Sequence, residues 1–167
     1  DKSTALTIAS RYGTQDILRL LLDAGANVDH QGRSMRTALM DAIKYQRREN
    51  IHTLLHASAN INIQDSQGQT ALMMSARLDD RDTLQRLITV ADLDVQDNQG
   101  RTALMVATIH GASGAVQDLI ESGACIDIQD NEGKNVFSLI AEHGGVENLQ
   151  RLLDFGVDVH ARNNYGM

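Results

Sequence analysis

His52 and His56 stand four residues apart, a spacing that puts two imidazoles on one helix face, where they could clip a metal ion. No third ligand accompanies them at a sensible spacing, so they read as partly exposed helix histidines. Cys125 is the lone thiol, and no basic or His neighbour in sequence would activate it as a nucleophile. The adjacent acids Asp79 and Asp80 fall in a turn and read as solvated surface. Gly144-Gly145 is a turn as well, not a phosphate-cradling loop. Nothing assembles a nucleophile, a base and an oxyanion site. The expectation is a protein that is not an enzyme, with no cofactor and no metal.

The elements that would hold such residues are written in a repeat. TALM occurs at residues 37–40, 70–73 and 102–105, and TALT at 4–7, at intervals of 33, 33 and 32. A fifth slot at 135 reads NVFS. The match extends well past that word. Leu18, Ile51, Leu84, Val116 and Leu149 form one apolar column, and Leu21, Leu54, Leu87, Leu119 and Leu152 a second. Leu22, Leu55, Ile88, Ile120 and Leu153 form a third. These columns sit at i, i+3 and i+4 of each unit, the buried stripe of a helix. Thr4, Thr37, Thr70, Thr102 and Asn135 each precede a shorter apolar segment and can cap it by accepting from first-turn N–H groups. Gly13, Gly111 and Gly144 separate the two segments, and Gly25, Gly123 and Gly156 follow the longer one, where a left-handed residue ends a helix. Asp65–Gly68, Asp97–Gly100 and Asp130–Gly133 are turn sequences. One unit of this size cannot bury its own stripe, so the units must stack.

Composition sets the outer bounds. Apolar residues make up 42% and aromatics only 3%, so the core is aliphatic. Trp and Pro are both absent, and the net charge of −7 argues against a general nucleic-acid binder. A single Cys cannot form an internal disulfide, which implies a reducing compartment, cytoplasmic or nucleocytoplasmic. No apolar run approaches a membrane span, and no secretory leader is visible at the start.

The pattern resembles the ankyrin repeat family, whose usual unit reads D-x-x-G-x-T-P-L-H-x-A, then G, then L-L-x-x-G-A. The strongest copy is DNQGRTALMVATIHG followed by LIESGACIDIQ, residues 97–129. The resemblance implies an all-α solenoid of stacked helix-turn-helix units with β-hairpin-like fingers. It covers the chain as a single domain: units 1–31, 32–64, 65–96, 97–129 and 130–162, and the start of a further finger at 163–167.

The departures from the family are specific. Its Pro is Ala in four copies, and its His is Met40, Met73 and Met105, which should loosen the register between units and add apolar contact. The third unit lacks one residue at its helix-ending Gly, which should offset the stack. Met35 occupies the turn-glycine slot of the second finger, where a positive φ costs a non-Gly residue about 1 kcal/mol. Phe155 and Val157 fall on an end without a polar cap, which raises self-association through uncapped ends.

Ankyrin-like proteins bind through fingertips and the exposed face of the shorter helix. By resemblance those slots hold Arg11 and Tyr12, then Arg33, Arg36, Lys44 and Tyr45, then Arg77 and Leu78, then Arg101, Ile109 and His110. All 24 such slots carry seven Lys/Arg against three Asp/Glu, and the rest of the chain eight against 19. Tyr165 completes the set of three tyrosines. The expectation is a scaffold or adaptor that binds an acidic or phosphorylated protein segment in a concave basic groove, entered from the N-terminal half. The same array could serve as a targeting or spacer segment of a larger multidomain enzyme or secreted bacterial effector.

Overall fold

The computed structural model describes residues 3–143 and 145–154. Gly144, Phe155, Gly156, Val157, Val159, the finger at 163–167 and its Tyr165 lie outside them. Among the described residues five helix pairs follow one another: α1 (Ala5–Tyr12) with α2 (Gln15–Asp23), α3 (Ala38–Lys44) with α4 (Arg48–His56), and α5 (Ala71–Leu78) with α6 (Arg81–Ile88). Then come α7 (Ala103–Ile109) with α8 (Ser113–Glu121), and α9 (Val136–His143) with α10 (Val146–Asp154). The first helices pack in one file, α1 on α3 on α5 on α7 on α9. The second helices line the other side, α2 on α4 and α6 on α8 on α10.

The caps form as the residue types require. Thr37, Thr70 and Thr102 each accept from the N–H three residues on, at 3.3–3.4 Å. Thr4 and Thr7 make a reciprocal capping box, and Asn135 Oδ1 accepts from Ser138 N. The first two apolar columns are sealed almost throughout: Leu18, Leu54, Leu84, Leu87, Val116, Leu119 and Leu152 are fully buried. The third is mixed, with Ile120 buried, Leu22, Leu55 and Ile88 half-buried against the edge of the core, and Leu153 exposed.

Met40, Met73 and Met105 are fully buried. Polar register comes from two other columns. Gln31, Gln64 and Gln96 each donate both amide hydrogens, one to their own finger (Met35, Gly68 or Gly100 O) and one to the carbonyl of the next glutamine, at 2.5–3.0 Å. Beside them, Asp29, Asn62 and Asp94 accept from the backbone N–H of Asn60, Asp92 and Cys125 in the following unit. These ladders keep backbone groups satisfied along the links, where no helix can do so.

The fingers are tight turns, and no β-strand occurs among the described residues. Asp65 N donates to Gln69 O, but Gln69 N donates to the Asp65 carboxylate instead of completing a ladder. Asp97 and Asp130 repeat this arrangement. In the second finger Gly32 has no carboxylate to offer, and the chain closes instead as a 3₁₀ turn over Arg33–Met35. Ser34 and Met35 both take positive φ there, 57° and 55°.

The missing residue of the third unit also has a local answer. The long helices α2, α4 and α8 end on a left-handed Gly25, Ser58 or Gly123, each followed by a residue whose N–H reaches five residues back. After α6, Ala91 N reaches only to Leu87 O, and no left-handed residue follows. Both ladders continue across the joint, so the shift is absorbed at the end of α6.

Candidate functional site

Fingers and first helices share one side of the stack, and Asp41 shows how they meet. Its side chain is fully buried in α3. Arg36, at the base of the second finger, places Nε 2.8 Å from Asp41 Oδ1. Arg11, at the end of α1, places Nε 2.7 Å from Asp41 Oδ2. Two of the arginines expected to line a binding surface are therefore joined through one buried carboxylate, with both guanidinium groups mostly covered. Arg47 Nε then donates to the Arg11 carbonyl and closes the end of α1.

Farther along, Arg101 forks onto Asp97, with Nε at 2.9 Å and a terminal nitrogen at 2.7 Å. Lys134 bonds Glu142 at 2.8 Å and lies 3.1 Å from Glu132. The Glu142 hydrogen bond raises the Lys134 ammonium above the ordinary lysine range, and the same bond lowers Glu142. A depression of about 280 Å³ sits here, between Arg101, Ile109 and Leu139 and the Lys134–Glu142 pair. Its charges already neutralise one another.

The remaining slots are open. Tyr12 is 67% exposed and Tyr45 40%, with ring centroids 5.9 Å apart. Arg33 and Lys44 are exposed, and Arg77 is half-buried. None of these three side chains makes a hydrogen bond or ion pair among the described residues. Leu78 and Ile109 are half-buried against the core, and exposed His110 keeps Nδ1 2.9 Å from the Val106 carbonyl oxygen. Sequence reasoning missed Asp41 as the group that ties Arg11 to Arg36. The available signal was an acid in a column that otherwise holds Ile8, Met74, Val106 and Leu139.

The residues first examined for chemistry have structural partners. His52 and His56 stack with ring centroids 4.0 Å apart, and His56 Nδ1 lies 2.9 Å from the His52 carbonyl oxygen. Asp79 accepts from Ala115 N in the next unit, and Asp80 caps α6 through Thr83 N. Cys125 is half-buried. Among the described residues, no group of three or more His, Cys, Asp or Glu could hold a metal, and no helix is long and apolar enough to cross a membrane.

A file of capped helix pairs, with fingers and short helices along one side, defines a repeat solenoid of the kind that recognises other proteins over an extended surface. The family model described as "Ankyrin repeats (3 copies)" matches residues 1–65 and 50–130, and the chain belongs to the ankyrin repeat family. Members of this family are generally protein–protein interaction modules and typically non-catalytic. A comparison with curated proteins finds no match.

Proposed function

We propose that the chain is a scaffold or adaptor whose fingers and short helices hold an acidic or phosphorylated protein segment. The observation that carries this reading is the set of side chains left open on the first three units. The Tyr12–Tyr45 pair offers a broad, stiff aromatic surface, and Arg33, Lys44 and Arg77 supply cations with no internal partner among the described residues. Tyr and Arg are the side chains in which interface energy concentrates, and a guanidinium fits a carboxylate or phosphate bidentately. Arg11, Arg36 and Arg101 act in this reading as positioning groups, because each is already bonded to a carboxylate. Leu78, Ile109 and His110 extend the contact toward the fourth unit.

The test is an array of acidic and phosphorylated peptides probed with the wild-type chain and with Arg33→Glu/Lys44→Glu. Loss of the bound spots in the variant, with an unchanged melting temperature, supports the reading. Identical arrays would remove it.

A second reading has its own observation. Ile8 and Ile17 are each 49% exposed and Leu20 69%. They stand in the columns of Asp41, Asn50 and Thr53, which in the second unit contact the first unit. Three exposed apolar side chains on one face of the first unit fit self-association. Light scattering with and without Leu20→Lys tests it: a dimer that dissociates in the variant supports the contact, and a monomer in both contradicts it.

A further inference from the structure

Tyr12 and Tyr45 are close for side chains on neighbouring helices. Packed helix axes stand about 8–10 Å apart, whereas the two ring centroids are 5.9 Å apart with their planes tilted by 51°. The rings lean toward each other and flank one notch. Tyr12 is the last residue of α1 and Tyr45 follows the last residue of α3. Leu78, half-buried, ends α5, the next helix in the file. A second interval, between Tyr45 and Leu78, thus follows the notch one helix step along. Lys44 adjoins Tyr45 between the two intervals, exposed and without a hydrogen bond or ion pair among the described residues. Neither tyrosine hydroxyl is hydrogen-bonded among the described residues.

That spacing selects the backbone of a bound segment. An α-helix shows the same face again after about 5.4 Å, short of one helix step, and its second turn, at about 11 Å, overshoots. A strand returns to the same face after about 6.8 Å. A polyproline II chain returns every three residues, after about 9 Å, and matches. No strand among the described residues offers an edge that a partner strand could extend. A polyproline II chain needs no such edge, because it makes no internal hydrogen bonds and its carbonyls are free to accept from the tyrosine hydroxyls. Segments of this kind dock in aromatic-lined grooves.

We infer, on the finger-side reading above, that the bound segment is acidic, proline-rich and in the polyproline II conformation. One proline sits in the Tyr12–Tyr45 notch, the proline three residues on sits between Tyr45 and Leu78, and an acidic residue between them faces Lys44. Exposed Arg33, on the second finger, serves a further acid of the same stretch. The nearby carboxylates are engaged elsewhere: Asp41 holds Arg11 and Arg36, and Asp65 accepts from the N–H groups of Gln67 and Gln69. Asp79, exposed beside Leu78, repels a carboxylate there, so the acids belong over the second unit. The chain contains no proline, so a second copy of it cannot supply the segment.

The experiment measures, by fluorescence anisotropy, the binding of three labelled acidic peptides. The first has proline at every third position and glutamate after each proline. The second holds the same residues in shuffled order, and the third is a helix former. The first should bind at least ten times tighter than the other two. Tyr12→Ala/Tyr45→Ala, checked for folding by circular dichroism, should erase that preference, and Tyr12→Ala alone, which removes the more exposed ring, should reduce it. Arg33→Glu/Lys44→Glu should weaken all three peptides. Equal affinity for the first and second peptides, or tighter binding of the helix former, would overturn the polyproline II assignment and leave the acidic-segment reading in place. A preference that survives both tyrosine variants would overturn the placement in the notch. Binding of none of the three would overturn the inference and the reading together.

Discussion

The rings of Tyr12 and Tyr45 lie 5.9 Å apart and are tilted by 51°, although 33 positions separate them in the chain. Both stand at the end of the shorter helix of their units. The pair shows directly that one unit length of sequence becomes one step along a shared surface. A double-mutant cycle of Tyr12→Ala and Tyr45→Ala should give a coupling of about 0.5 kcal/mol, the low end for aromatic pairs because both rings meet solvent. Chemical denaturation measures it.

Asp41 supports a different prediction. Its carboxylate is fully buried and holds two arginines. Removing it leaves two mostly covered guanidinium groups without a counter-charge. Asp41→Ala should destabilise the chain by about 3 kcal/mol, the lower end for breaking a buried ion pair. Arg11→Ala should cost less, because Arg36 still serves the carboxylate. The ordering of the two midpoints in denaturant is the check.

The fingers predict opposite signs for similar substitutions. Met35 sits at φ 55° without being Gly, so Met35→Gly should stabilise by about 1 kcal/mol through relief of left-handed strain. Gly68 has φ 75°, and a Cβ there would lie 2.6 Å from the Asn98 nitrogen. Gly68→Ala must therefore strain its own backbone and push the next finger away, and should lower the melting temperature. Thermal melts of the two variants should move in opposite directions.

Acid should loosen the joint between the third and fourth units. The hydrogen bond from Arg81 holds the Asp118 carboxyl below the ordinary aspartate range, against a smaller opposing effect of burial. A lowered folded pKa means that the stabilisation is present above the unfolded value of about 3.9 and disappears as pH falls through the lowered one. Asp118→Asn should reduce stability at neutral pH and flatten the acid limb of the profile. An unchanged acid limb in that variant would place the dependence elsewhere.

The repeat, the helix pairs and the caps were legible in the sequence because each rests on residues within one unit. The cap of Thr37 over Met40, or the stripe of Ile51, Leu54 and Leu55, needs no knowledge of the neighbouring unit. The pairing of the charges on the finger side was less legible. Arg11 and Arg36 read as free cations until the fold brings Asp41 between them, and that contact depends on how one short helix faces the next. The glutamine column at 31, 64, 96 and 129 was visible as identity but not as a ladder, since its bonds run to backbone carbonyls that no sequence pattern marks.

The surface of recognition can be located directly. The tightest peptide from the array would be titrated into the isotopically labelled chain, with backbone amide shifts recorded at each step. The account predicts perturbations gathered at residues 11–12, 33–36, 44–45 and 77–78, on the side of the fingers and short helices. Shifts confined to the outer helices, with those four stretches unmoved, would contradict it.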